Sequence, residues 1–259
     1  MYRMTEAVKH LIIINVLFYL ATRFVNPGLN NILALHFPLN PEFGFWQFVS
    51  SMFMHNQMSI YHILFNMFAL WGFGTSMEQE WGTKKFVFFY FSAGIGAGII
   101  YTLVNYLGYS TAYNELIDSG LNNMQVMEFL NSNRYNAGID YLNQNIKNPS
   151  IINSLNNSSS LADAYANYNS SAIGASGAVY GVMVAYGYYY PNAKLSLIFL
   201  PIPVAAKYFI PVLILMDLFM GISGYNFGIA NFAHLGGALF GFIMAYYWKN
   251  NSFNNKRWN

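Results

Sequence analysis

The sequence predicts an all-α fold: a polytopic membrane protein built as a bundle of six transmembrane helices. Three observations carry that expectation. Only 8% of the 259 residues are charged while 55% are hydrophobic, against about 25% charged in a soluble domain. Apolar stretches of nearly the length that crosses a bilayer recur along the chain. Lysine and arginine fall mainly in alternate connections between them.

The stretches lie at roughly 8–25, 59–77, 85–107, 173–190, 208–223 and 229–248. The first could pass for a signal peptide, but "ATRFVNPG" after it is a poor cleavage site and five further spans follow, so it reads as a membrane helix. The second opens with "HILFN" and the sixth contains "AHLGGALFG". The fourth and fifth are short and interrupted, which suits helices buried among neighbours. With the N-terminus cytoplasmic, that side receives Arg3, Lys9, Lys84, Lys85, Lys194, Lys207, Lys249, Lys256 and Arg257, and the other only Arg23, Arg134 and Lys147. Both termini are then cytoplasmic. "YGYYYP" at 186–191 and "AYYWK" at 245–249 fit an interfacial aromatic belt.

Residues 1–259 thus read as a single membrane domain with two unusual connections. Residues 26–58 contain "PEFGFWQFVSSMFMHNQ", too apolar for a free loop and too polar to cross, so they are expected in the outer interface. Residues 108–171 are an Asn/Ser-rich extracytoplasmic insertion with fourteen asparagines between Asn114 and Asn169. In it "NELIDSGLNNMQVMEFLN" suggests a weak amphipathic helix and "NSLNNSSS" a flexible linker, together a tolerated surface excursion. A net charge of +2 implies no nucleic-acid partner, and the absence of cysteine excludes disulfides and thiol chemistry.

His62 and His234 are the histidines that fall inside spans, where an ionisable side chain is costly and marks function by default. Spans two, four and six run from the outer face inward. At 1.5 Å of rise per residue, His62, Ser176 and His234 lie at one depth, a turn or two below that face. Asn66 follows His62, and Tyr180 follows Ser176, at i+4 on the same helix face. Gly177 and Gly181 in span four, and Gly237 and Gly241 in span six, form GxxxG patterns that let backbones approach closely. A hydroxyl and an imidazole on those helices could then come within hydrogen-bond reach. No carboxylate at ligand spacing accompanies the two histidines, so neither metal nor cofactor is expected.

"GASG" at 174–177 with Tyr180, "HILFN" at 62–66 and "AHLGGALFG" at 233–241 resemble the signature segments of rhomboid intramembrane serine proteases. "WQFVSSMFMH" at 46–55 and "EQEWGTKKF" at 78–86 are similar to that family's first loop and its connection between helices two and three. The resemblance implies a Ser176 nucleophile with His234 as general base, a dyad without an acid, and Tyr180 packed on the imidazole. It implies an oxyanion site built from His62, the Asn66 amide and the Ser176 backbone N–H, supported by Gly174 and Gly177. The substrates would be transmembrane proteins cleaved near the outer face, with water as second substrate, in a bacterial inner membrane. Span five and "GISGYNFG" at 221–228 would flank lateral access. Asp217, the one acid well inside a span, is expected to be a packed carboxyl rather than a third catalytic member. His55 is expected to brace the first loop by a hydrogen bond. An inactive rhomboid-like protein that binds membrane-protein clients is the alternative reading, and a transporter would need polar residues at several depths.

Overall fold

Apolar runs without breakers fold as helices in lipid because each backbone group must find its partner within the segment. The computed structural model describes residues 3–197, 200–223 and 231–251, and each of the six stretches is helical in it. Helix α1 (Glu6–Leu20) is continued by a π turn (Ala21–Val25). Helix α2 (Ile60–Ala69) passes through a second π turn (Leu70–Gly74) into Thr75–Trp81. Then come α3 (Thr83–Asp118), the insertion helices α4 (Asn123–Leu130), α5 (Tyr135–Asn145), α6 (Pro149–Asn156) and α7 (Ser160–Tyr168), and α8 (Ser176–Tyr189). Helices α9 (Ala206–Ser223) and α10 (Asn231–Asn250) complete the chain's helical bundle. By length and composition, Glu6–Val25, α3 and α9 are each able to cross a membrane. The chain is a multi-pass helical membrane protein.

An antiparallel hairpin, β1 (Lys194–Leu197) and β2 (Leu200–Ala205), joins α8 to α9, with Lys194 opposite Ala205 and Leu195 opposite Val204. The all-α expectation omitted it, because a short apolar run carries no helix-or-strand signature of its own.

Two compact units form, one of residues 1–35, 45–101 and 172–259, the other of 36–44 and 102–171. The core of the first includes Val8, Leu70, Met77, Phe86 and Phe89, all fully buried. The motif "EQEWGTKKF" has a clear task here. The Glu78 carboxylate accepts the backbone N–H groups of Ala7 at 2.9 Å and Val8 at 3.0 Å, capping α1, and also the Thr83 hydroxyl at 2.7 Å. Gly82, at φ 78°, makes the turn from α2 into α3 in a backbone region that disfavours side chains.

Of the two short helices expected to be buried, only α8 is. It has fourteen residues, eight of them buried. Helix α9 instead buries only a narrow stripe, Ala206, Ile210 and Asp217, and turns Val212, Leu215, Met216, Phe219 and Ile222 outward. Lipid-facing and protein-facing positions are both apolar in a membrane helix, so hydropathy cannot separate the two cases.

The insertion also departs from expectation. Helix α3 runs eleven residues past the end of its span, because nothing breaks it before Gly120, at φ 102°. Residues 153–160, read as linker, end α6 and begin α7 across one turn. Val126, Phe129 and Leu130, then Leu142 and Ile146, then Leu155, Leu161 and Tyr168 pack into a core of this unit. The asparagines serve as helix starts. Asn122 forms a capping box with Gln125, and Asn148 accepts the Ser150 N–H ahead of Pro149 at the first turn.

Candidate active site

Ser176 is the first residue of α8, so its backbone N–H belongs to the orphan donors of a helix N-terminus, at the positive end of the helix dipole. The approach to it is set by Gly174, at φ 125°, whose N–H donates to the Ser51 carbonyl at 2.9 Å. That bond ties the serine loop to the short 3-10 turn Ser51–Phe53 of the first connection.

Glycine pairing brings α8 and α10 together. A Cβ on Gly237 would fall on the Gly177 carbonyl, and one on Gly241 would stand 2.5 Å from the Gly181 Cα. A Cβ on Gly177 or Gly181 would meet the methyl of Ala97 or Ala93 on α3 at 2.5 and 2.7 Å. Backbone-to-backbone contact of this kind leaves side chains at the next turn within bonding range. His234 Nε2 and Ser176 Oγ are 2.9 Å apart. The Tyr180 ring stacks on the His234 imidazole, centroids 4.2 Å apart and planes 11° from parallel.

His62 lines the same small space. A Cβ on Gly174 would stand 3.0 Å from His62 Nε2 and 3.4 Å from Ser176 Oγ. The backbone N–H of Asn56 donates to His62 Nδ1 at 3.1 Å. Since an amide N–H can only donate, Nδ1 must be the bare nitrogen and Nε2 must carry the proton. The tautomer follows from a backbone group, which side-chain reading of the sequence could not have found.

Asn66 is buried one turn further on, and its Nδ2 donates to the His62 carbonyl at 2.8 Å. One of its two amide hydrogens is therefore held by its own helix, leaving the second for the site. His55 is wholly buried, with Nδ1 donating to the Phe53 carbonyl at 3.3 Å. Its carbonyl accepts from Gln57 Nε2 at 2.9 Å, and that amide also reaches Thr22 Oγ1 at 2.7 Å, pinning the first connection to the end of α1. Burial, then the neighbouring His62, push the His55 pKa down to about 3, so this ring is neutral at physiological pH.

Asp217 is buried, as expected of a packed carboxyl, and has a hydrogen-bonding neighbour. Asp217 Oδ1 lies 3.3 Å from His234 Nδ1, so the imidazole sits between a hydroxyl and a carboxylate. Depth along a helix is countable from sequence, while the direction of the Asp217 side chain is given only by the fold. Of "GISGYNFG", residues 224–228 lie outside the described residues.

A hydroxyl, an imidazole and a carboxylate thus stand in successive contact at a helix N-terminus of a helical membrane protein. Residues 42–118 and 151–251 match the Rhomboid domain, and the chain belongs to the rhomboid family. The unmatched residues 119–150 fall inside the insertion. Among curated proteins it is similar to the mitochondrial presenilin-associated rhomboid-like proteins. The human protein is 26% identical over 251 residues, covering 95% of this chain and 50% of that protein. The rat protein is 26% identical over 230 residues, covering 86% and 45%. The zebrafish protein A is 27% identical over 218 residues, covering 83% and 41%. The chain thus spans about half the length of the curated relatives it matches.

Proposed function

We propose that this protein is an intramembrane serine endopeptidase that cleaves transmembrane segments of membrane proteins near the outer face, with Ser176 as nucleophile and His234 as general base. The observation that carries the reading is the 2.9 Å hydrogen bond between His234 Nε2 and Ser176 Oγ, held by two glycine-packed helices. His234 Nε2 takes the hydroxyl proton as Oγ bonds to the scissile carbonyl carbon, and the carbonyl oxygen becomes an oxyanion. The Ser176 N–H and the protonated Nε2 of His62 stabilise that charge, with the free Asn66 amide hydrogen as a third donor. The C–N bond then breaks, the leaving amine takes the proton from Nε2, and an acyl-enzyme remains. Water then attacks the acyl carbon, giving its proton to Nε2, and the ester bond breaks as Oγ takes that proton back, releasing the carboxyl product and restoring Ser176 and His234. Each lost oxyanion donor is worth about 10²–10³-fold in rate.

Ser176 and His62 are only partly buried, so water can reach the acyl group. With the N-terminus cytoplasmic, these residues lie a turn or two below the outer surface. Client binding without catalysis would need neither the serine nor the base, and both are here in bonding contact. The membrane proposed is the bacterial inner membrane, on the Asn-rich composition expected of an A/T-rich genome; subcellular fractionation tests this. The test of the activity is labelling by a fluorophosphonate probe in detergent. Wild type is expected to label while Ser176→Ala and His234→Ala do not, and equal labelling of all three would remove the nucleophile assignment.

A further inference from the structure

We propose that Asp217 is the positioning carboxylate of this site, accepting the Nδ1–H of His234 so that the Nε2 lone pair faces Ser176. The inference deepens the peptidase reading and rests on it.

Geometry supplies the first argument. Oδ1 is 3.3 Å from His234 Nδ1, while Nε2 of the same ring is 2.9 Å from Ser176 Oγ. Contacts of this kind are often long before substrate binds. Burial supplies the second. Asp217 is 6% exposed, on the narrow inward stripe of a helix whose flanking Met216 and Leu218 face outward. Oδ1 is the oxygen turned to the imidazole, the Tyr180 hydroxyl also interacts with this carboxylate, and Oδ2 is buried without a partner at hydrogen-bond distance among the described residues.

The third argument is chemical. A serine hydroxyl both donates and accepts, so Ser176 alone does not choose which nitrogen of His234 carries the proton. The stacked Tyr180 ring fixes the plane of the imidazole, and a face-to-face ring calls for a proton on neither nitrogen. An ionised carboxylate can only accept. It therefore demands Nδ1–H, leaves Nε2 bare to receive the serine proton, and stabilises the imidazolium that results.

Among the described residues, the groups facing His234 include Asp217 from α9, Ser176 and Tyr180 from α8, and His62 from α2. Helix α3 sets Ala97 and Ile100 against the neighbouring Gly236. Cleavage of a single-span substrate in detergent by wild type, Asp217→Asn, Asp217→Ala and Ser176→Ala tests the assignment, with kcat and KM measured for each and kcat referred to the amount of folded enzyme. Asp217→Asn is expected to lower kcat by about 10²–10⁴-fold and leave KM within about 3-fold. A structural role would reduce the amount of folded enzyme while leaving kcat per folded molecule unchanged. If Asp217→Asn does not accumulate, the kcat and KM of Asp217→Ala decide. A kcat per folded molecule within about 5-fold of wild type overturns the assignment. Wild-type turnover by Ser176→Ala would instead overturn the peptidase reading itself.

Discussion

Gly237→Ala offers the sharpest test of how this site is held together. The new Cβ would lie 2.6 Å from the carbonyl carbon of Gly177, with the carbonyl oxygen closer still. Carbon atoms pack at about 3.5 Å or more, so α8 and α10 must separate by at least about 0.9 Å at this level, and by more to clear the oxygen. Backbone cannot rotate away as a side chain can. Gly177 directly follows Ser176, and Gly237 lies one turn from His234, so the separation passes almost undiminished to the 2.9 Å bond between them. That bond then stretches to about 3.8 Å or more, beyond useful proton transfer. A displacement near 1 Å costs about 10²-fold in rate, and overpacking of this size costs about 1–3 kcal/mol of stability. The assay is cleavage of a single-span substrate, with thermal unfolding in detergent to establish that the protein is folded. Gly72→Ala is the control, since a Cβ there meets nothing within 4 Å. Turnover by Gly237→Ala within about 3-fold of wild type would refute the claim that close glycine packing sets the catalytic distance.

Three further outcomes are expected. Glu78→Gln weakens the carboxylate's hold on the Ala7 and Val8 N–H groups and should cost about 1–3 kcal/mol, read as a lower unfolding temperature. His55 is held neutral when folded, with its pKa at about 3 against 6.5 for the free side chain. The unfolded state therefore binds the extra proton, and stability is full above about pH 6.5 and falls as pH drops toward 3. His55→Gln should flatten that part of the stability curve, and an unchanged slope would count against it. Phe129→Ala empties the centre of the insertion's own core at a cost of about 3–5 kcal/mol, and limited proteolysis should then cut within residues 102–171 far faster than in wild type.

The six helices, the glycine pairs and the serine–histidine contact were all legible in the sequence, because each leaves a local mark: length of apolar run, four-residue spacing, or an expensive polar residue. What stayed hidden depends on direction. Asp217 could be placed at the depth of His234, yet the face of α9 it occupies is settled only by packing, since that helix is apolar all round. In the insertion the linker segment stayed hidden for a different reason. Residues 153–160 read as a flexible linker by composition, whereas Asn122 and Asn148 cap helices whose buried residues follow helical spacing. Composition counts residues, while a cap depends on one residue at one position.

Under the proposed mechanism the two imidazoles carry opposite duties, and the difference lies on the far side of each ring. At His62 a backbone N–H meets Nδ1, so the proton resides on Nε2, where a developing oxyanion can receive it. At His234 a carboxylate oxygen meets Nδ1, so Nε2 is bare and can take a proton from Ser176. Exchanging the two outer partners would exchange the roles, leaving a donor beside the nucleophile and a base beside the oxyanion. A serine and two histidines at the right depth are therefore insufficient on their own. The first connection must deliver the Asn56 amide and α9 must deliver Asp217, which gives these segments a chemical constraint as well as a structural one. It also explains why the buried face of α9 can be so narrow: it has to present one carboxylate to one nitrogen, and the rest of the helix is free to face lipid.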